Sequence, residues 1–452
     1  MMIRRAVTGW IVAAALASPV AAAGIEQLTL RDAIMTGVER NHLIKAARHV
    51  SDAAQAGATA AQLHFMPSLT LEESWARTNI PVNTFMMKLN QGQFTSADMQ
   101  ALAQPGNKPA TLTDYTTSAT LEQPLFVPTA WAGARVARLG AERQQALASQ
   151  TIEQIALRIY QGYLDVYKSH AYLQLAEKAV EEARESRRQA HVRLTAGLGL
   201  KSDELRADTQ LAAMEQQAIT ARNNLTLARM QLAIAIGGSR GQEVDVKGPI
   251  RLKAQQSAMT LDQLLQQART QRQDLIAAER GSEHASATVL QTRAQYLPTV
   301  AAVGAWQMHD NRTAFSQDQD GWSVGVALRW NIFDGFRTSY GNAQSVANRA
   351  AAEANLQSVR NDVEYQVREA WLRKDEAEKR HYVAQTALTA AEEATRLLAK
   401  RFENSLATMV ELLDAQTALN QARANVADSE AHAAYAAGNV YYAAGAFLKE
   451  VQ

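Results

Sequence analysis

The sequence predicts a mainly α chain with a small β part: long coiled-coil helical hairpins joined to about four short strands, one module written twice. Three observations predict this. From Glu204, the small or apolar residues Ala207, Leu211, Met214, Ala218, Ala221, Leu225, Ala228 and Leu232 recur at strict 3-4 spacing. From Leu412 the run returns as Ala415, Leu419, Ala422, Val426, Ser429, Ala433, Ala436 and Val440, and 412 − 204 equals 440 − 232, or 208. A sustained 3.5-residue period builds a left-handed coiled coil, and a repeat of this length implies a duplicated, domain-sized unit. Second, no proline occurs between Pro128 and Pro249 or after Pro298. Because an interior proline costs a helix about 3 kcal/mol, both voids permit very long helices. Third, each void is preceded by segments of period two, the mark of half-buried strands.

Taken in order, the chain opens with Arg4 and Arg5, an apolar stretch from Ala6 to Val20, and Ala21-Ala22-Ala23. This reads as a secretory signal peptide over 1–23, its apolar run being shorter than the ~20 residues a bilayer needs. Two structural repeats follow, over 24–248 and 249–452, each expected to hold a helix, two strands and a long hairpin. Strands are expected at 68–78, 116–126, 300–308 and 322–332. In the last, Trp322, Val324, Val326, Leu328, Trp330 and Ile332 alternate with Ser323, Gly325, Ala327, Arg329 and Asn331. A helix over 129–195 would be on the order of 100 Å long, more than a compact domain needs and suited to spanning a gap. Alanine along its rows lets neighbouring helices approach closely. The breaks at 195–202 and 403–408 turn each helix back. Gly197 and Asn404 are placed to take positive φ there, and Ser202 and Thr408 to cap the returning helices. The stretch 79–111, with three prolines, is expected to be a surface loop.

Composition excludes several roles. With 46 basic against 45 acidic residues there is no basic footprint for nucleic acid. The chain has no cysteine, so it has neither a disulfide framework nor a lipid-carrying residue at the cleavage site. No other run of eighteen apolar residues occurs, so membrane entry would be as β-structure. Five of the seven tryptophans, Trp75, Trp131, Trp306, Trp322 and Trp330, lie in or beside the strands. They suit membrane-interface belts, although plain strand packing would also use them. Four strands cannot close a barrel alone, and an open edge is not tolerated in lipid. Several chains must share one barrel.

At this point the residues resemble the TolC family of bacterial outer-membrane efflux and secretion channels over nearly the whole mature chain. Leu30 to Ala47 resembles the family's first helix. Phe65-Met66-Pro67-Ser68-Leu69 and Tyr296-Leu297-Pro298-Thr299-Val300 resemble the helix-to-strand step. Gln123-Pro124-Leu125-Phe126 and Trp330-Asn331-Ile332-Phe333-Asp334-Gly335 resemble the strand-to-helix step, and Ala196-Gly197-Leu198 and Val410-Glu411-Leu412-Leu413-Asp414-Ala415 the periplasmic turns. The resemblance implies a homotrimer with a twelve-strand barrel in outer-membrane lipid and a twelve-helix tunnel across the periplasm. It implies passive export with a periplasmic adaptor protein and an inner-membrane pump of RND, ABC or MFS type.

Glu411 and Asp414 stand at i and i+3 on the returning helix, so three copies would ring the narrow end with six carboxylates able to favour cations. The resemblance supports both positions as the pore constriction. Thr408-Met409-Val410-Glu411 is also a capping box, in which Glu411 would satisfy helix-end donors. Copy one offers Asp203 and Arg206 at the equivalent places. Asp203 matches a family position tied to an arginine on the other hairpin, but that arginine's place is Ala407 here, leaving Arg206 opposite Asp414 as a candidate. In its own turn, Asp203 also suits the helix dipole. Gly197, Leu198, Ser405 and Leu406 occupy the tip positions that meet the adaptor in this family, and equally serve as turn residues.

An enzyme is not indicated, and no cofactor or metal is expected. Gly237-Gly238-Ser239-Arg240-Gly241 matches GxSxG but follows a helix, where the strained strand-to-helix elbow is absent. The nine histidines lack metal spacing, and Met86, Met87 and Met99 alone do not make a soft-metal site. The alternative of another class is an exported coiled-coil protein without a pore. It would need no period-two strands with tryptophan belts.

Overall fold

Both proline-free stretches hold helical hairpins in the computed structural model, which describes residues 25–104, 106–238, 241–248, 250, 259–316 and 319–451. The 1–23 leader and the serine of the GxSxG stretch fall outside the described residues. In chain order the elements are β1 (Glu26–Leu28), α1 (Leu30–Arg40), α2 (His42–Gln62), β2 (Ser68–Thr78), α3 (Pro81–Asn90), α4 (Ser96–Leu102), β3 (Leu112–Phe126), α5 (Pro128–Thr195) and α6 (Lys201–Ile236). Then come β4 (Val244–Val246), α7 (Leu261–Gln271), α8 (Gln273–Ala294), β5 (Thr299–Asp310), β6 (Asp320–Arg329), α9 (Arg337–Glu403), α10 (Met409–Ala443) and α11 (Phe447–Val451).

Local chemistry sets these boundaries. Pro128 opens α5 at its first turn, where no N–H is missed. Thr408 caps α10 in a reciprocal box with Glu411, and Gly237 ends α6 with φ +94°. The stretch expected to be a loop at 79–111 instead carries α3 and α4. Pro81 starts α3, and Thr95 and Asp98 form a capping box on α4, local signals that outweigh three prolines. The last strand ends at Arg329, not at 332. Trp330 lies just past the ladder, and its indole Nε1 donates to the Tyr296 carbonyl at 3.0 Å.

The helices form an arc four wide along its whole length. Next to the sheet the neighbours run α2, α5, α8, α9; toward the hairpin tips they run α6, α5, α10, α9. The strand order β2-β3-β5-β6 matches the first row, since each strand continues one of those helices. The coiled-coil rows face inward: Ala207, Met214, Leu225, Ala228 and Leu232 are buried in α6, as are Leu412, Leu419, Ala422, Ala436 and Val440 in α10. By contrast α9 leaves Tyr340, Tyr365, Leu372, Tyr382 and Val383 exposed, and α6 leaves Leu205, Ile219, Leu227 and Ile234 exposed, so both outer flanks of the arc are partly apolar.

A belt girdles the arc at mid-height. Parallel β1 and β4 pair there, and Ile34, Ile44, Ile159, Tyr160, Tyr163, Leu232 and Phe447 pack into one core. The two tyrosines tie α5 to its neighbours, Tyr160 to α10 and Tyr163 to the end of β4. Tyr160 donates to the Ala434 carbonyl at 2.8 Å, and Tyr163 to the Lys247 carbonyl at 2.7 Å; burial pushes the Tyr163 phenol up to about 12. The ring of Tyr160 fits only because residue 438 is glycine, whose added Cβ would lie 2.4 Å from Tyr160 Cε1. Gly438→Ala will therefore cost about 1–3 kcal/mol through overpacking. Gly57→Ala, in open space on α2, will be neutral or stabilising by up to about 1 kcal/mol. Thermal unfolding of the two variants checks the contrast.

Candidate functional site

The sheet has two unlike faces. Register places Leu69, Leu71 and Trp75 of β2 with Ala119 and Leu121 of β3, Val300, Ala302 and Trp306 of β5, and Trp322, Val324, Val326 and Leu328 of β6. The other face carries Ser68, Thr70, Glu72, Ser74, Ser118, Thr120, Glu122, Gln307, His309, Ser323 and Arg329. Alternation of period two produces this division, which gives way toward the strand ends remote from the helices, where Glu73, Asp310 and Asp320 share the first face. The apolar face is uncovered: Leu69 is 73% exposed, Trp322 79% and Val324 76%. Strands β2 and β6 are the outer members, each paired on one side only.

All five tryptophans are exposed, and they stand at three levels. Trp306 and Trp322 share a rung with Leu71 toward the strand ends remote from the helices, and Trp75 stands four residues, about 13 Å, beyond it. Trp306 pairs directly across from Trp322, and its Nε1 donates to Asp320 Oδ2 at 2.9 Å. Trp131, on the first turn of α5, and Trp330 lie at the helix end, Trp131 meeting Phe65 edge-on at 5.2 Å. The separation 330 − 322 is eight residues, about 26 Å along an extended strand.

The hairpin tips are one turn built twice. Leu198 N–H donates to the Arg193 carbonyl at 2.8 Å, and Leu406 N–H to the Arg401 carbonyl at 2.7 Å, 208 residues on. Gly197 takes φ +72°, and its counterpart is Ser405 at +60°. Asn404, expected in that role, has φ −89° and donates its side-chain amide to the Lys400 carbonyl at 2.8 Å. The constant offset, 405 − 197, selects the serine. Ser202 does not cap: it lies inside α6, which starts at Lys201 after Leu200 with no side-chain cap bond. Leu198 and Leu406 are 77% and 67% exposed at the extreme end.

Between the tips lies a cleft of about 460 Å³ lined by Arg193, Leu198, Asp203, Arg206, Phe402, Ser405, Ala407 and Val410 among others. It brings Asp203 and Arg206 together with Ala407. Glu411 occupies the capping box: its carboxylate accepts from Thr408 N–H at 2.7 Å and from the Thr408 hydroxyl at 2.9 Å, the backbone bond first holding its carboxyl below the usual range. Glu411 and Asp414 are both exposed. Among the described residues no ion pair joins Arg206 to Asp414. Hairpin one ties Glu204 instead, through Lys201 Nζ and His191 Nδ1, and the Lys201 bond, then His191, lowers that carboxyl.

Two features carried no legible signal. One is Arg193, whose guanidinium crosses to Ser405 of the other hairpin. The other is Asp245 on β4, buried between His170 Nε2 at 2.7 Å and Arg229 at 2.5 Å, which fastens the belt to the first hairpin. Among the described residues no His, Cys, Asp and Glu cluster suits a metal, and no helix is long and apolar enough to cross a membrane.

Comparison with known proteins places this geometry. The family model "Outer membrane efflux protein" matches residues 36–238 and 264–446. The chain is 29% identical over 192 residues to the fusaric acid resistance protein FusA of Burkholderia cepacia, a match spanning 41% of this chain and 35% of that one. It is 20% identical over 312 residues to outer membrane protein TolC of Vibrio cholerae, covering 68% and 71% of the two. Among solved structures the channel-forming protein CusC superposes with TM-score 0.80 at 16% identity, over 93% of this chain and 92% of that one. The two matched stretches hold both hairpins, and the superposition takes in sheet, arc and tips together. The chain therefore belongs to the outer membrane efflux protein family: it is a TolC-type efflux channel, a transporter and not an enzyme.

Proposed function

We propose that three copies of this chain close one tube that stands in the outer membrane and reaches into the periplasm, serving as passive exit duct for an inner-membrane pump. The carrying observation is the open sheet. Two half-paired outer strands and an uncovered apolar face cannot persist in lipid, whereas three sheets of four strands close twelve into one barrel. The four-wide arc, with apolar flanks on α6 and α9, supports the same threefold closure of a twelve-helix wall. The Trp322 and Trp330 levels, about 26 Å apart before strand tilt, suit the two girdles of an apolar band ~25 Å tall. Trp306 and Trp322 then mark one interface and Trp131 and Trp330 the other, with Trp75 beyond the first.

A pump of RND, ABC or MFS type would deliver cargo through a periplasmic adaptor that meets Gly197, Leu198, Ser405 and Leu406, whose leucines project at the end. The partial likeness to a fusaric acid resistance protein supports small organic molecules as cargo over proteins. In this reading Asp414 and Glu411 supply the constriction, with Asp203 and Arg206 beside it. Asp414 carries most of the selectivity, because the Glu411 carboxylate already serves the helix cap. In planar bilayers the protein will conduct with cation preference and be blocked by multivalent cations. Asp414→Asn will weaken both by several-fold; unchanged selectivity and block would remove Asp414 from the pore.

A further inference from the structure

Below the belt, α5 packs against α10 within one chain. The offset of 208 relates α9 to α5 and α6 to α10, so the same two surfaces recur on opposite flanks of the arc. Contacts define the internal seam: Tyr160 donates to the Ala434 carbonyl at 2.8 Å, Tyr167 to Glu430 Oε2 at 3.4 Å, and Arg423 to Glu182 at 2.9 Å. Burial follows it. Leu164, between Tyr160 and Tyr167 on that face of α5, is 3% exposed, whereas its counterpart Leu372 on α9 is 66% exposed. Ala427, between Arg423 and Glu430 on α10, is 8% exposed, whereas its counterpart Ile219 on α6 is 64% exposed. Farther down α9, Val383 and Leu397 are exposed where Leu175 and Gln189 of α5 are half-buried. The flanks are apolar at the positions that the chain covers in its own middle.

Polar contacts of the internal seam can be carried across by the same offset. The Tyr167 to Glu430 contact becomes Asp375 opposite Arg222, a pair of opposite charge, whereas Arg423 and Glu182 become Glu215 and Ala390, which do not attract. Within one chain, Arg222 donates to Glu177 at 3.1 Å and Asp375 accepts from Lys379 at 2.6 Å, and all four side chains are exposed. Such surface pairs hold weakly and are free to exchange partners. We infer that α9 of one copy seats on α6 of the next through this repeated surface, with Leu372 and Ile219 as apolar anchors and Asp375 bonded to Arg222 of the neighbouring copy. This rests on the threefold reading above and adds which residues join the copies. The contact is head-to-tail, and three repetitions close a ring.

The chain has no native cysteine, so an Arg222→Cys, Asp375→Cys variant places two unique thiols in every copy. Treated with a short bis-maleimide, the assembled protein will run as covalent dimer and trimer on denaturing gels. Leu205→Cys with Asp375→Cys will stay a single chain, because 222 − 205 is 17 residues, about 26 Å along α6. Leu372→Arg and Ile219→Arg will each lower the yield of heat-resistant oligomer several-fold with helix content unchanged, since both side chains face solvent in the lone chain. Arg222→Glu will lower it too, and Asp375→Arg added to Arg222→Glu will restore it, a coupling that two independent sites would not show. Three-chain particles with no cross-link between positions 222 and 375 and no rescue by the charge swap would overturn this seam while leaving the trimer intact. A wild-type protein that stays a single chain would overturn the threefold reading and the seam with it.

Discussion

Val324→Arg will abolish assembly into the outer membrane, whereas Ser323→Arg, one residue away, will be tolerated. Val324 lies near the middle of β6 on the apolar face, opposite Gly304, and Ser323 lies on the polar face opposite Ala305. An arginine at mid-depth on the lipid side of a barrel costs about 2–4 kcal/mol, while lumen positions take charge readily. Closure multiplies this by three copies, for roughly 6–12 kcal/mol in one assembled particle, comparable to the whole stability of an ordinary domain. Outer-membrane fractions and heat-resistant oligomer on gels report the outcome. Equal tolerance of both arginines would mean that the faces are not lipid and lumen.

The second large effect is at the belt. Asp245→Ala will destabilise the protein by about 3–5 kcal/mol, because Arg229 is left largely buried without its carboxylate and His170 loses the same partner. Replacing both ends together, Asp245→Leu with Arg229→Met, will recover most of the loss, since an apolar pair has no charge to strand. The pH dependence follows from the same site. Burial pushes the Asp245 carboxyl up, but hydrogen bonds from His170, Arg229 and the Val246 N–H outweigh it and hold it below the usual aspartate value. A carboxyl lowered in the folded state contributes stability above its unfolded value of about 3.9, and that contribution is lost as pH falls through the folded value. Thermal melts of wild type will thus lose part of their stability below about pH 4, and the Asp245→Leu, Arg229→Met variant will lose less. Identical acid profiles would contradict this assignment.

Much of the architecture was legible because it rests on periodicity. The 3-4 rows, the proline voids and the offset of 208 located both hairpins, and the bounds of β2 agree with the alternation at 68–78. The belt was not legible. Its strands are three residues each, too short for any period, and its core draws on Ile34, Tyr160 and Phe447, which are far apart in sequence. The 79–111 stretch misled because proline is a helix breaker inside a helix but a helix starter at Pro81. At the tips, sequence located the turns but misplaced the left-handed residue, choosing Asn404 by residue preference where the repeat offset points to Ser405. Arg193 was invisible for a different reason. A bond between residues 212 positions apart depends on how two hairpins lie side by side, and no local pattern records that.

The central claim is that one chain supplies a third of a closed tube. Native mass spectrometry of the detergent-extracted protein tests it most directly, because it counts chains without assuming a shape. A particle of three chains is the predicted result. A single chain, stable in detergent with its four-stranded sheet unpaired, would contradict the account.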